Sequence, residues 1–281
     1  MELQGKTAVI TGGASGIGLA TARQFASSGA NLVLGDIEEA PLQTALESLR
    51  ADGAHVIGVR CDVSVESDVT ALRDAALAEF GAAHLVFNNA GVAAGPAIGT
   101  PKSIWDWVLG VNVDGVINGV NAFVPLFLEQ NEGYVVSTGS LAGLGGVPYM
   151  GAYCASKFAV VAISETLFHE LAATGKNVHA SVLCPGFVRT RIYESQRNMP
   201  NELKSYNEDP TVQAIAAFAQ EAVKAGIDAS EVAQEIENAV RNDKFWILPH
   251  EHAAIRTTEQ RLEWMRGGPP PTINLTAATQ R

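Results

Sequence analysis

The chain has 281 residues and a net charge of −11, with 47% hydrophobic and 17% charged residues. This composition is typical of a folded globular protein with a large core and excludes a disordered chain. The acidic balance disfavours nonspecific binding to nucleic acid or to anionic membranes. None of the three cysteines forms a CxxC pair, and no apolar run comes near the roughly 20 residues of a membrane span. We therefore expect a cytoplasmic protein without a metal site.

Short apolar runs alternate with amphipathic stretches along the first two thirds of the chain. The predicted strands are Thr7–Ile10, Asn31–Gly35, His55–Cys61, His84–Asn88, Tyr134–Thr138, Val178–Leu183 and Phe245–Leu248. The predicted helices between them are Ile17–Ser28, Pro41–Ala51, Val65–Phe80, Ile104–Leu128 and Ala152–Thr174. Apolar strands that alternate with helices indicate a parallel sheet covered on both faces. The expected fold is a doubly wound α/β fold with about seven strands.

The pattern weakens after Pro185. Residues 187–227 combine a polar stretch with a helical stretch, Thr211–Lys224, which is typical of a lid or substrate loop. A helix at Ala229–Asn242 and the last strand would complete one domain over residues 1–250. Residues 251–281 are then expected to form a C-terminal extension that contains a helix, Ala253–Met265.

The first predicted strand runs directly into a glycine-rich turn, Thr11–Gly18, and a helix follows. Glycines permit a tight turn and let the backbone approach a pyrophosphate, while the helix N-terminus offers free N–H groups. The expected dinucleotide-binding residues of this turn are Gly12, Ser15, Gly16, Ile17 and Gly18. The alternative is a tight connection that binds no ligand.

Asp36 ends the second predicted strand. An acidic side chain there can accept hydrogen bonds from the adenosine ribose hydroxyls and would repel a 2′-phosphate. No arginine or lysine lies in the glycine turn or directly after Asp36, where Ile37 and Glu38 follow. The sequence thus favours NAD over NADP, with a helix cap as the alternative role of Asp36.

Tyr153 and Lys157 are four residues apart in a predicted helix and therefore lie on one helix face. An ammonium close by favours the phenolate and is expected to lower the pKa of Tyr153, which could then exchange a proton with an alcohol or ketone. Ser140 follows the fifth strand, at the edge of the sheet where ligands bind, and its hydroxyl could hold the substrate oxygen.

Together these motifs resemble the short-chain dehydrogenase/reductase family, whose fold is Rossmann-like. The resemblance covers roughly residues 5–248 and rests on the spacing TGxxxGxG, on Tyr153-x-x-x-Lys157 and on motifs in the same order. Those further motifs are Asn88-Asn89-Ala90-Gly91, Asn112, Ser140 and Pro185-Gly186. One departure is Gly139, where the family usually has a second serine before the catalytic one.

The resemblance implies further site residues. Asn112 would be the fourth catalytic residue and would support proton relay, although a polar kink within a helix is an alternative. Asp62, followed by Val63, would accept from the adenine amino group, or would simply be a turn aspartate. The remaining cofactor contacts that the resemblance implies are Asn89, Ala90, Gly91, Pro185, Gly186, Val188 and Thr190. Asn89 is expected to brace the sheet as well.

The predicted substrate pocket is largely apolar and aromatic, which favours a hydrophobic secondary alcohol or ketone. Its expected residues are Ala142, Val147, Tyr149, Met150, Phe187 and Tyr193. His250 and His252 lack further metal ligands and are expected to lie on the surface.

Assembly and the competing functional interpretations follow from the same resemblance. Trp105, Trp107, Phe123 and Phe127 lie on a helical stretch that family members use in dimer packing, so a homo-oligomer, commonly a homotetramer, is expected. The favoured function is an NAD-dependent oxidoreductase. An NADP-dependent ketoreductase and a non-catalytic dinucleotide-binding or redox-sensing protein on the same fold remain alternatives.

Overall fold

The computed structural model describes residues 1–208 and 210–272. Within them, strands form one parallel sheet in the order β3-β2-β1-β4-β5-β6-β7. These strands are β1 (Thr7–Thr11), β2 (Asn31–Asp36), β3 (Val56–Arg60), β4 (Leu85–Asn88), β5 (Gly133–Thr138), β6 (Val178–Leu183) and β7 (Trp246–Ile247). The strand order reverses between β1 and β4, and open α/β sheets bind ligands in the crevice at such a reversal. The predicted doubly wound fold is confirmed, and each observed strand end lies within one residue of its prediction.

Helices connect the strands and cover the sheet. They are α1 (Gly16–Ser27), α2 (Glu39–Ala51), α3 (Glu66–Phe80), α4 (Lys102–Leu109), α5 (Gly115–Gln130), α6 (Gly151–Thr174), α7 (Pro210–Lys224), α8 (Ala229–Arg241) and α9 (Glu251–Met265). Successive strand side chains point to opposite faces, so Ile10 packs into the cluster with Phe25 on one face and Val9 packs with Leu72 on the other. Because both faces are covered, β1 is buried along its whole length.

The predicted helix Ile104–Leu128 is longer and less regular than expected. α4 and α5 are joined through Gly110–Asp114, a turn of the wider π type, into a run from Lys102 to Gln130. By length and composition this run could cross a membrane, although core helices of folded domains have the same properties. Phe123 and Phe127 on it are fully buried in the core, so the expectation that these two rings serve dimer packing is wrong.

The segment after Pro185 is ordered into short helices. Two 3₁₀ helices, Ile192–Asn198 and Asn201–Glu208, precede α7. The tail helix α9 lies against the turn after β5, where the Arg261 guanidinium donates to the Leu144 carbonyl at 3.4 Å. The expected extension 251–281 therefore packs on the domain through α9, and residues 273–281 lie outside the described residues.

Candidate active site

A cavity of about 680 Å³ lies at the carboxyl ends of the strands. It extends from the end of β2, past the glycine turn, to the turn after β5 and the first turns of α6. The predicted cofactor residues that line it are Gly12, Ser15, Gly16, Ile17, Asp36, Asp62, Val63, Asn89, Ala90, Gly91, Pro185, Gly186, Val188 and Thr190. Ser140, Tyr153 and Lys157 line the same cavity, so the structure brings the two groups of predicted residues together.

The glycine turn depends on glycines for its backbone conformation and its close packing against the neighbouring chain. Gly12 and Gly16 have φ angles of +64° and +54°, which favour glycine. Gly18 packs against the turn instead of facing the cavity, since a Cβ on it would lie 2.2 Å from the Gly12 carbonyl oxygen. Ser15 stands at the N-cap of α1 and makes no side-chain capping bond. The N-terminus of α1 therefore opens on the cavity with a positive dipole end.

Asp36 is a buried carboxylate at one end of the cavity, with 9% of its surface exposed. Its Oδ2 accepts from the Ala14 N–H and its Oδ1 from the Glu38 N–H, both at 3.0 Å. Burial raises the pKa of Asp36, and the two backbone hydrogen bonds oppose that rise. Asp36 thus fixes the turn before α2 and also lines the cavity, but it is not the helix cap of its alternative role, because the N-cap of α2 is Glu38.

Asp62 and Asn89 shape the neighbouring strand ends. Asp62 Oδ1 accepts from both the N–H and the hydroxyl of Ser64, so this residue is a turn aspartate that also lines the cavity. The Asn89 amide donates to the Thr11 carbonyl at 3.0 Å and to the Gly12 carbonyl at 3.3 Å. These bonds brace β4 against the glycine turn, as expected for Asn89.

Ser140 and Tyr153 form the polar centre of the other end of the cavity. Their hydroxyls are hydrogen-bonded to one another. Ser140 Oγ also accepts from the Ala142 N–H at 3.1 Å, and this bond fixes the turn after β5. Lys157 is buried, and its Nζ donates to the Thr138 carbonyl at 2.7 Å and lies 5.6 Å from the centroid of the Tyr153 ring.

The pKa of Tyr153 in this site is shifted in the direction opposite to the one expected from the sequence. Burial raises the pKa of Tyr153 to about 12, and the hydrogen bond with Ser140 only partly opposes it. Burial also lowers the pKa of Lys157 to about 8. The expected lowering of the Tyr153 pKa by Lys157 is therefore wrong for the protein alone, because loss of hydration is the largest influence and Lys157 is not among the groups that shift this pKa. In this state Tyr153 is a neutral phenol.

Asn112 lies behind the cavity wall, in the π turn between α4 and α5. Its Oδ1 accepts from the Val92 N–H at 2.8 Å, and its Nδ2 donates to the Val92 carbonyl and to Ser156 Oγ, each at 2.9 Å. Ser156 in turn donates to the Tyr153 carbonyl. Asn112 therefore ties the chain after β4 to the helix that carries Tyr153, and the alternative of an irregular turn in the helix is observed as well.

The predicted substrate residues line the cavity beside Ser140, with one exception. Ala142, Val147, Met150, Phe187 and Tyr193 lie on the wall. Tyr149 is 62% exposed and lies outside the lining, because the chain turns through a φ of +63° at this residue and directs its ring to solvent.

Sequence reasoning missed wall residues from α4 and from the segment after β6. Trp107 and Val111 line the cavity, where a role in dimer packing was expected for Trp107. Their spacing of four residues on one helix face, just before Asn112, is the signal that could have found them. Ser195 and Arg197, within the polar stretch, also line the cavity and carried no local signal.

His250 is fully buried, so its expected surface position is wrong, whereas His252 is exposed. Nδ1 of His250 accepts from the Gly186 N–H at 3.0 Å. Because Gly186 lines the cavity, this bond joins the start of the tail to the cavity wall. Across residues 1–208 and 210–272, no group of three or more metal-binding side chains is placed to hold an ion.

The arrangement fits a dinucleotide. The buried carboxylate of Asp36 lies at one end, the glycine turn and the N-terminus of α1 lie in the middle, and Tyr153 and Ser140 lie at the other end. These features match what a ribose, a pyrophosphate and a reacting carbonyl require.

Comparisons with known proteins agree with this geometry. The family model described as short chain dehydrogenase matches residues 6–201. The structure resembles that of a short chain dehydrogenase/reductase from Burkholderia phymatum in complex with NAD, with a TM-score of 0.93 and 43% identity over 98% of this chain and 99% of that one.

Curated relatives belong to the same group of oxidoreductases. A CLA biosynthesis dehydrogenase/reductase of Lactiplantibacillus plantarum is 30% identical over 89% of both chains. A 3beta-hydroxysteroid dehydrogenase 2 of Eggerthella lenta is 36% identical over 71% of this chain and 77% of its own length. The chain belongs to the short chain dehydrogenase family of oxidoreductases.

Proposed function

We propose that this protein is an NAD(H)-dependent oxidoreductase that interconverts a hydrophobic secondary alcohol and its ketone. The observation that carries the proposal is the hydrogen-bonded pair of Ser140 and Tyr153 in the same cavity as the glycine turn. Hydride and proton transfer must occur at one carbon–oxygen bond, and this cavity offers a place for both.

The residues at that end of the cavity have complementary roles. A bound nicotinamide dinucleotide supplies the hydride acceptor or donor. Ser140 Oγ donates to the substrate oxygen and holds it as charge develops. Tyr153, with a pKa raised to about 12, keeps its proton at neutral pH and gives it to a ketone oxygen as hydride reaches the carbon. In the reverse direction Tyr153 must first lose that proton, and its phenolate then accepts the proton of the alcohol as hydride leaves. Lys157, fixed by the Thr138 carbonyl, supplies positive charge beside the phenol.

Asn112 positions this machinery without lining the cavity. Through Ser156 it fixes the backbone at Tyr153, and through Val92 it fixes the wall opposite. We propose that it also supports proton relay near Lys157. A Cβ placed on Gly91 would lie 3.3 Å from Asn112 Oδ1 and 3.5 Å from Lys157 Nζ, so the two side chains meet at the same small residue.

NAD is favoured over NADP by Asp36, whose carboxylate would repel a 2′-phosphate. The Burkholderia phymatum relative with NAD bound supports the same choice. For the substrate, the wall beside Ser140 consists mostly of apolar and aromatic side chains. Hydroxysteroids are one class of candidate, since a relative is named for that activity.

The test is a screen of NAD⁺ reduction across secondary alcohols, including aryl alcohols and hydroxysteroids, with the wild type and Tyr153→Phe. We expect turnover of at least one hydrophobic alcohol by the wild type. We expect Tyr153→Phe to bind NADH normally and to lose nearly all turnover, because phenylalanine cannot transfer the proton. Tyr149→Phe is the matched control, since Tyr149 is exposed and outside the cavity lining.

Three results would contradict the proposal. Substantial turnover by Tyr153→Phe would reject the assigned proton donor. Tight NADH binding by a wild type that converts no alcohol or ketone of the panel would favour the non-catalytic alternative. Tighter binding of NADPH than of NADH would instead favour the NADP-dependent alternative.

We also propose a cytoplasmic homo-oligomer, a tetramer by resemblance to the family. Partly buried Trp105 and the apolar side chains that α9 exposes, among them Trp264 and Met265, are candidates for subunit contacts. Light scattering of the purified protein tests the assembly, and a monomer at micromolar concentration would contradict it.

A further inference from the structure

Arg197 places a positive charge where the sequence predicted none. It lies on the 3₁₀ helix Ile192–Asn198 and lines the cavity together with Asp36 and Glu38. Its Nε donates to Glu38 Oε2 at 2.9 Å, and the two side chains are only 25% and 21% exposed. The partners are 159 residues apart in the sequence. Arginine at this end of the cavity matters because the adenosine ribose is expected there.

The guanidinium is held in one orientation. Its Nη1 donates to the carbonyls of Arg191 and Glu194, at 3.0 and 3.1 Å. These bonds tie the side chain to its own short helix, and its Nε–H is taken by Glu38. Arg197 therefore does not swing freely between solvent and the cavity.

A second anchor holds the same helix over the cavity. Ser195 is 3% exposed, and its Oγ accepts from the Ala93 N–H at 3.0 Å and donates to the Ile192 carbonyl at 2.6 Å. The helix is thus fixed to the chain after β4 by Ser195 and to the chain after β2 by Arg197. The position of Arg197 follows from the fold and does not depend on its own ion pair alone.

Charge at the ribose end depends on how these groups pair. Arg197 and Glu38 cancel one another, which leaves the carboxylate of Asp36 as the net charge. Arginine is well suited to bind a phosphate through two N–H groups. A 2′-phosphate would need such a partner, and here Glu38 already takes the Nε–H and neutralises the charge of the guanidinium.

We propose that the Glu38–Arg197 ion pair is a second determinant of the preference for a dinucleotide without a 2′-phosphate. Asp36 repels that phosphate directly, and Glu38 withholds the cation that would otherwise attract it. The inference rests on the proposed NAD-dependent function and adds a residue pair to it. Neutralising Glu38 should free Arg197 for the phosphate although Asp36 is unchanged.

The experiment compares dissociation constants for NADH and NADPH, measured by the fluorescence of the reduced nicotinamide. The variants are Glu38→Gln, Arg197→Gln and the double variant Glu38→Gln/Arg197→Gln. We expect Glu38→Gln to improve NADPH binding relative to NADH by about tenfold, as loss of a close, partly buried charge pair allows. The improvement should vanish in the double variant, which lacks the freed guanidinium.

Glu39→Gln is the matched control. It removes one negative charge from the residue next to Glu38, where the exposed Glu39 side chain pairs with Arg60 at 3.7 Å and neither residue is in the cavity lining. We expect its NADH-to-NADPH ratio to equal that of the wild type. Thermal unfolding of every variant checks that each one is folded.

The outcomes separate this inference from the proposed function. An unchanged ratio in Glu38→Gln, or an equal change in Glu39→Gln, overturns the ion-pair proposal while a wild type that prefers NADH upholds the proposed cofactor. A gain that persists in the double variant also overturns it, because Arg197 would then not be the phosphate partner. A wild type that prefers NADPH overturns both.

Discussion

The two ends of the cavity are built in different ways. At the Asp36 end, short turns at neighbouring strand ends fix the side chains through backbone hydrogen bonds, as with Ala14 and Glu38. At the Ser140 end, much of the wall comes from segments far apart in the chain, such as the α4 residue Trp107 and Phe187 after β6. The comparison indicates that turns at the strand ends fix the Asp36 end, to which the segment after β6 adds Arg197, whereas segments far apart in the chain form much of the wall at the Ser140 end.

The largest expected effect comes from Gly18→Ala. The new Cβ would lie 2.2 Å from the Gly12 carbonyl oxygen, which is backbone and cannot move aside easily. We expect NADH affinity to fall by about a hundredfold, and overpacking to cost about 1–3 kcal/mol of stability. Fluorescence titration and denaturant unfolding measure the two quantities. Gly146→Ala is the control, because a Cβ added there would have no neighbour within 4 Å among the described residues. Normal NADH binding by Gly18→Ala would contradict the role of the turn.

The next prediction concerns pH and tests the Ser140 end. Lys157, with its pKa lowered to about 8, is charged below that pH, while Tyr153 stays protonated up to about 12. Ketone reduction should therefore be fastest below pH 8 and fall as Lys157 loses its proton. Alcohol oxidation, which requires Tyr153 to accept a proton, should rise with pH. Rates in both directions across this range test the prediction, and a reduction rate that is flat through pH 8 would contradict it.

His250 belongs to the chain after β7, yet its Nδ1 accepts from the Gly186 N–H beside the cavity. It therefore links a distant segment of the chain to the end of a strand. His250→Leu should cost about 1–3 kcal/mol of unfolding free energy, since a buried N–H loses its acceptor. His250→Asn should recover part of that loss, as its amide oxygen can take the place of Nδ1. Denaturant unfolding of both variants measures the loss of unfolding free energy in each. Equal losses would show that the hydrogen bond is unimportant.

The smallest expected effect lies on the substrate wall. Trp107→Leu should change kcat/KM for a bulky alcohol by about tenfold or less and leave the NADH dissociation constant unchanged. Trp105→Leu is a matched control, since both rings are partly buried and pack on the same cluster, but of the two only Trp107 is in the lining. Equal changes in the two variants would remove Trp107 from the substrate site.

The features that could be predicted from the sequence are those that depend on short stretches of the chain. The strands, the glycine turn, and the residues that follow β2, β4 and β5 all reach one cavity, because the carboxyl ends of parallel strands share one edge of the sheet. Asn89 and Asp62 make the bracing and turn bonds that their positions suggested.

Contacts between residues far apart in the chain could not be predicted from the sequence. The pairing of Arg197 with Glu38 joins residues 159 apart, and the burial of His250 depends on where the tail returns to the sheet. The direction of the Tyr153 pKa also required the three-dimensional surroundings, since spacing reveals the neighbouring Lys157 but not the loss of water around both groups. The incorrect placement of Tyr149 in the pocket has a local cause. This residue has a positive φ, which directs its ring to solvent.

Because of the π turn at Gly110–Asp114, the number of residues in this helical run determines which of its side chains face the cavity. Such a turn contains one residue more than the α-helical turn it replaces, and each helical residue rotates the chain by about 100°. Deleting one residue here would restore regular coiling and rotate everything upstream relative to everything downstream. Trp107 could then no longer face the cavity while Asn112 remains bonded to Val92. Insertions and deletions in this short stretch should therefore be far more damaging than most substitutions within it.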